Sequence, residues 1–155
     1  WTEIKKINPK IRLHMVGKLQ TNKVKFAVKI FDYIHSVDSE KLARKIVDEQ
    51  NKINKKIKVF LQVNIGDENQ KSGIDKNEVA QLVSFSKEIG LEVIGLMCIP
   101  PINSDAEVYF GEMNKLNKDI GLPELSMGMS SDYILAAKHS STYIRVGSSI
   151  FGQRS

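Results

Sequence analysis

The residues best suited to chemistry lie near the end of the chain, in Tyr143-Ile144-Arg145-Val146-Gly147-Ser148-Ser149-Ile150-Phe151-Gly152. Tyr143, Ile144 and Val146 are strand formers, and Gly147 removes the side chain where the backbone must bend or approach something closely. Ser148 and Ser149 add two hydroxyls and a run of backbone N–H groups. A strand that breaks into Gly-Ser-Ser before a helical turn is how α/β proteins hold phosphate, with amides and a helix N-terminus facing the anion. The same residues also make an ordinary strand-to-loop turn. Arg145 bears on the choice, because a guanidinium on an apolar strand needs an acceptor, either a carboxylate in the core or a ligand.

The other reactive side chains point to no second chemistry. His14 and His35 both fall on strands and read as satisfied polar core residues; His139 falls near a helix end and reads as surface. The three histidines are not at metal-ligand spacing and Cys98 has no partner motif, so no zinc site is expected. Cys98 reads as a small buried hydrophobe. The loop Asp67-Glu68-Asn69 lacks the spaced ligands of a calcium loop and reads as solvated.

Composition narrows the class further. With 155 residues, 41% hydrophobic and 26% charged, the chain fits one globular domain, 1–155, and is short for an eight-unit barrel. No apolar run is long enough to span a membrane, and a single cysteine suits a reducing, cytoplasmic setting. The net charge of +5 comes from lysines that alternate with Glu and Asp on helix-like stretches, without aromatic stacking platforms. That pattern reads as solvated helix faces, and nucleic acid is not an expected partner. The first residue is Trp1 and not Met, which leads us to expect either processing or a segment missing ahead of it.

The positioning elements alternate. Strands are expected at Ile11–Gly17, Tyr33–Val37, Lys58–Ile65, Leu91–Ile99, Glu124–Gly128 and Tyr143–Val146, the third nearly continuous in apolar residues as a strand buried on both faces should be. Between them, Thr21 or Asn22 caps a short helix through Ile30. Asp38 or Ser39 caps a longer helix with Leu42, Ala43, Ile46, Val47 and Ile53 on one face. Further helices follow over Lys76–Ile89, from Ala106 to Ile120 with Gly121 as terminator, and from Tyr133 to Lys138. Strict β-α alternation implies a parallel sheet, either open and doubly wound or part of a barrel. In a barrel, the loops after the last two strands, at Gly128-Met129-Ser130 and Gly147-Ser148-Ser149, share the C-terminal mouth and form the usual phosphate site.

Several motifs, in order, resemble the pyridoxal phosphate homeostasis protein family, small proteins related to the barrel of alanine racemase. They are His14-Met15-Val16-Gly17, Leu19-Gln20-Thr21-Asn22-Lys23, Ile34-His35-Ser36-Val37-Asp38, Gln62-Val63-Asn64, Lys71-Ser72-Gly73, Gly95-Leu96-Met97, Leu125-Ser126-Met127-Gly128-Met129-Ser130 and Arg145-Val146-Gly147-Ser148. The combination of Ser-Met-Gly-Met-Ser with Arg-Val-Gly-Ser is the specific part.

The resemblance implies an α/β fold, a (β/α)8 TIM barrel of the alanine racemase type, here with about six of the eight βα units. It implies pyridoxal 5′-phosphate at the C-terminal mouth, with phosphate contacts from Ser130, Gly147 and Ser148. Arg145 is expected near the pyridine ring, where it would keep the ring nitrogen unprotonated, and Asn64 and Met97 near the pocket floor. The family's Schiff-base lysine sits on a first strand that has no counterpart in this sequence; Lys23 and Lys71 belong to loop motifs and the other lysines read as helix surface. The implied role is a non-enzymatic carrier or regulator of the cofactor. A racemase-like enzyme using it, or a phosphate-ligand sensor acting through partner proteins, are the alternatives. A complete barrel is expected to be monomeric, and this chain to be completed by an N-terminal fragment, to pair edge to edge with a dimer partner, or to stand as an open, aggregation-prone fragment.

Overall fold

The computed structural model describes residues 1–68, 72–102 and 104–152; Asn69 and Lys71, named above, lie outside them. Six strands appear where the pattern places them: β1 (His14–Met15), β2 (Tyr33–Val37), β3 (Lys58–Val63), β4 (Glu92–Cys98), β5 (Glu124–Met129) and β6 (Tyr143–Arg145). Every neighbouring pair is parallel and the spatial order is the sequence order, β1 to β6. The order never reverses, so right-handed crossovers put the helices that connect the strands on one face and the sheet curls away from them. This decides the open alternative: the sheet is barrel-type, not doubly wound.

The helices are α1 (Thr2–Ile7), α2 (Val24–Ile30), α3 (Glu40–Lys52), α4 (Val79–Glu88), α5 (Ala106–Ile120), α6 (Tyr133–Lys138) and α7 (Ser148–Phe151). Ser39 caps α3 by accepting from the Leu42 amide, and α5 stops at Gly121, whose φ of +78° suits glycine. The expected cap of α2 by Thr21 or Asn22 is not found: Thr21–Lys23 forms a 3-10 turn leading into the helix with no side-chain cap. In α3 the buried residues are Leu42, Ala43, Ile46 and Gln50, and Ile53 falls past the last turn, 37% exposed. Two lysines are not mere surface. Lys55 donates to the carbonyls of Val28 and Phe31 at the end of α2, and Lys5 reaches Asp32 and the Ile30 carbonyl, fastening α1 to the turn between α2 and β2.

Alternation divides the strands between two faces. Ile34, Val59, Leu61, Val63, Leu96, Cys98, Leu125 and Met127 pack with the helices in the main core. The intervening residues face the concave side, where His35 stacks on Phe60 with ring centroids 4.3 Å apart and Tyr143 meets Phe60 edge-on at 5.1 Å. Tyr143 on β6 also lies 5.8 Å from His14 on β1, so the curl brings the two ends of the sheet within side-chain reach. Strand β1 is shorter than expected because the Leu13 amide binds the Asp32 carboxylate and not a strand partner.

Candidate functional site

The C-terminal ends of β5 and β6 carry the site. The hydroxyl of Ser141 and that of Thr142 tie the start of β6 to the backbone of β5, at the Met127 and Leu125 amides respectively. Past β5, Asp132 accepts from the Met129 amide at 2.6 Å and closes the turn that presents Ser130. Ser130 Oγ then accepts from the Gly147 amide at 3.1 Å and from the Ser149 amide at 3.3 Å. Two loops far apart in sequence therefore meet at one hydroxyl, with Ser148 opening α7 between them. A side chain at Gly147 would meet open space, and its φ of −123° is ordinary. Neither crowding nor a positive φ inside the chain accounts for the glycine.

Beside this cradle is a cavity of about 550 Å³, lined among others by His14, His35, Met129, Tyr143, Arg145 and Gly147. Arg145 reaches back from its rim: Nη1 donates to Ser126 Oγ at 2.8 Å and Nη2 to the Cys98 carbonyl at 2.8 Å. Its Nε is buried without a partner among the described residues, a donor left over. Among the described residues no carboxylate accepts from Arg145, so the core ion-pair alternative finds no partner there. Burial pushes the guanidinium below its ordinary value, against the pull of Cys98 and Asp132; an arginine has so much range that it stays charged.

Ser126 Oγ also lies 2.9 Å from His35 Nδ1, and His35 Nε2 lies 3.0 Å from His14 Nδ1. The two histidines are thus satisfied strand residues, as expected, but they satisfy each other in a row ending at Arg145. Burial, with the charges of His14 and Arg145, lowers His35 to about 3, so the imidazole is neutral. Burial likewise lowers His14, opposed by the Asp32 carboxylate.

Of the residues singled out in the sequence, Arg145, Gly147, Ser148 and Ser130 come together. Met97 is fully buried on β4, between Gln62 and Ser126 in register. Asn64 follows β3 and spends its amide on the backbone of Glu68. His139 pairs with Glu107 at 3.5 Å, and Asp67 with Lys76 at 3.3 Å, so the acidic loop is tied by an ion pair as well as solvated. Ser126 and His35 were not singled out as a pair; the signal for them was strand parity, since each alternates with residues of the helix-side core.

A curled parallel α/β sheet with hydroxyl- and amide-bearing loops at its C-terminal mouth defines a TIM-barrel-like protein. Residues 2–155 match the family described as alanine racemase, N-terminal domain, and the chain belongs to that family. It is 36% identical over 151 residues to a pyridoxal phosphate homeostasis protein of Aquifex aeolicus, covering 91% of this chain and 66% of that protein. The fold is similar to PipY of Synechococcus elongatus, solved with pyridoxal phosphate bound, at a TM-score of 0.89 and 31% identity over 97% of this chain and 75% of that one. Alanine racemase of Clostridium difficile shares the fold at a TM-score of 0.77 and 14% identity, over 99% of this chain and 42% of that one. Among the described residues, no helix is long and apolar enough to cross a membrane.

Proposed function

We propose that the chain binds pyridoxal 5′-phosphate at the mouth of its sheet and serves vitamin B6 homeostasis in the cytoplasm, as a carrier or regulator without turnover of its own. One observation carries this reading: the Gly147 and Ser149 amides converge on Ser130 Oγ beside a cavity where Arg145 keeps an unpartnered Nε–H. The donor set fits the ligand: the Ser130 and Ser148 hydroxyls and the Arg145 Nε–H offer hydrogens that the phosphate and ring nitrogen accept, and the Gly147 and Ser149 amides orient Ser130 by donating to its Oγ. The names of the relatives and the ligand of PipY support it. The whole chain acts as one domain, binds no nucleic acid, and needs no second subunit for the phosphate cradle.

In this reading Ser130, Gly147 and Ser148 hold the phosphate, Arg145 lies beside the ring, and Asn64 and Met97 shape the floor. When bound, the cofactor supplies an aldehyde and an electron-withdrawing ring. Arg145 can only donate, so it favours an unprotonated ring nitrogen and a weaker electron sink, which suits holding over turnover. Among the described residues no lysine lines the cavity, so the proposal rests on non-covalent contacts. Titration of the chain with pyridoxal 5′-phosphate, followed by absorbance and competed with inorganic phosphate, tests it. Saturable, phosphate-sensitive binding is expected; no saturation up to millimolar ligand would end the proposal.

A further inference from the structure

The Ser126 hydroxyl stands between two partners with opposite needs. Arg145 Nη1 is always a donor, so Ser126 Oγ accepts from it. The serine's own hydrogen then goes to its other neighbour, His35 Nδ1. This makes Nδ1 an acceptor and places the ring proton on Nε2, facing His14 Nδ1. Each hydrogen in the row runs the same way, from β6 through β5 and β2 to β1. Strands β2 and β5 are not neighbours in the sheet, and only its curl lets their side chains meet.

We infer that His35, acting through the Ser126 hydroxyl, is a positioning residue for Arg145: by taking the serine's hydrogen it leaves an oxygen lone pair for Nη1 and fixes the plane of the guanidinium. With Nη2 held by the Cys98 carbonyl, the Ser126 bond is the second of two points, and two points are needed to stop a planar group from swinging. The depressed basicity of His35 supports the assignment, since the ring stays an acceptor across the neutral range. The remaining donor, Nε, is then presented in one direction. The inference rests on the reading of Arg145 as a ligand contact.

Two variants separate positioning from packing. His35→Phe keeps a ring to stack on Phe60 and loses the acceptor; His35→Asn loses the ring and keeps an acceptor at similar reach. The full chain is titrated with pyridoxal 5′-phosphate and with inorganic phosphate, and the Arg145 side-chain nitrogens are followed by ¹⁵N NMR without ligand. His35→Phe is expected to weaken pyridoxal 5′-phosphate about fivefold to tenfold, the loss of one hydrogen bond, and inorganic phosphate by less than about twofold. His35→Asn stays within about twofold of the parent, and Arg145 signals that are distinct in the parent and in His35→Asn merge in His35→Phe. Unchanged Arg145 signals in a folded His35→Phe protein overturn the inference, whatever the affinity. If His35→Phe does not fold, Ser126→Ala must loosen the same signals or the inference fails. A parent chain that binds no pyridoxal 5′-phosphate removes the functional reading, while the ligand-free spectra still decide whether His35 positions Arg145.

Discussion

His14 Nδ1 and His35 Nε2 lie 3.0 Å apart, their rings tilted by 51° on adjacent strands of the concave face. A neutral pair makes one good hydrogen bond there, and a proton added to either ring breaks the pattern. The consequence is a pH dependence of stability. The folded-state value of His35 lies near 3, below the ordinary 6.5, so between these limits the unfolded chain binds more protons than the folded one. Stability should therefore fall as pH drops from about 6.5 toward about 3, by a few kcal/mol in all. Urea unfolding at pH 7 and pH 5 checks this, and His35→Asn should flatten the difference. An equally steep fall in that variant would remove His35 as the source.

Ser130→Ala should leave the fold nearly unchanged and weaken phosphate-bearing ligands. The hydroxyl is exposed and holds two amides, those of Gly147 and Ser149. Losing it frees the Gly147 loop and removes one donor, for about a fivefold to thirtyfold loss of affinity. Calorimetric titration with pyridoxal 5′-phosphate measures it; unaltered affinity would move the phosphate away from this cradle.

Gly147→Ala offers a cleaner discrimination. The added methyl meets nothing within 4 Å and the backbone angle is ordinary, so thermal stability should stay within about 0.5 kcal/mol of the parent. Ligand affinity should nevertheless drop, because the methyl would stand where an anion approaches the amides. A stable variant that binds as well as the parent would show that the glycine has no part in recognition.

Asp32→Asn should cost stability and leave ligand affinity alone. The carboxylate lies 2.7 Å from Lys5 Nζ and accepts the Leu13 amide, joining α1, β1 and the turn before β2. Burial raises its proton affinity, but Lys5, the Leu13 amide and the Lys55 charge outweigh that and hold it below the usual carboxylate range. The pair is partly exposed, so the loss should be about 1–2 kcal/mol, seen as a lower denaturant midpoint. In acid the same support fades as pH falls through the depressed value, since a folded carboxylate that resists protonation stabilises only above it.

The strands, the helices and the loops of the candidate site were all legible in the sequence, because β-α alternation and turn residues are local signals. The Ser130 cradle was legible in part: both loops stood out, but that Gly147 and Ser149 point their amides at Ser130 Oγ depends on how two parallel strands end side by side. The row from Arg145 to His14 was not legible. It joins residues 19, 91 and 21 positions apart, and sequence spacing says nothing of a curl that brings β2 to β5. The cap of α2 misled for the opposite reason: Thr21 and Asn22 have the right chemistry, yet the chain winds into a 3-10 turn there and the helix starts after it. Lys5 and Lys55 misled because lysine on a helix-rich stretch usually faces water, and these two are held by carbonyls at a helix end.

Cys98 is sealed within β4 under the helices, and burial pushes its thiol up to about 12, partly offset by Arg145. Deprotonation and access are both denied in the native fold, so an alkylating reagent can react only with molecules whose middle strands have come apart. The lone sulfur is thus a built-in clock: its labelling rate reads how often this part of the sheet opens, and a ligand that tightens the Arg145 contact with the Cys98 carbonyl would slow the clock.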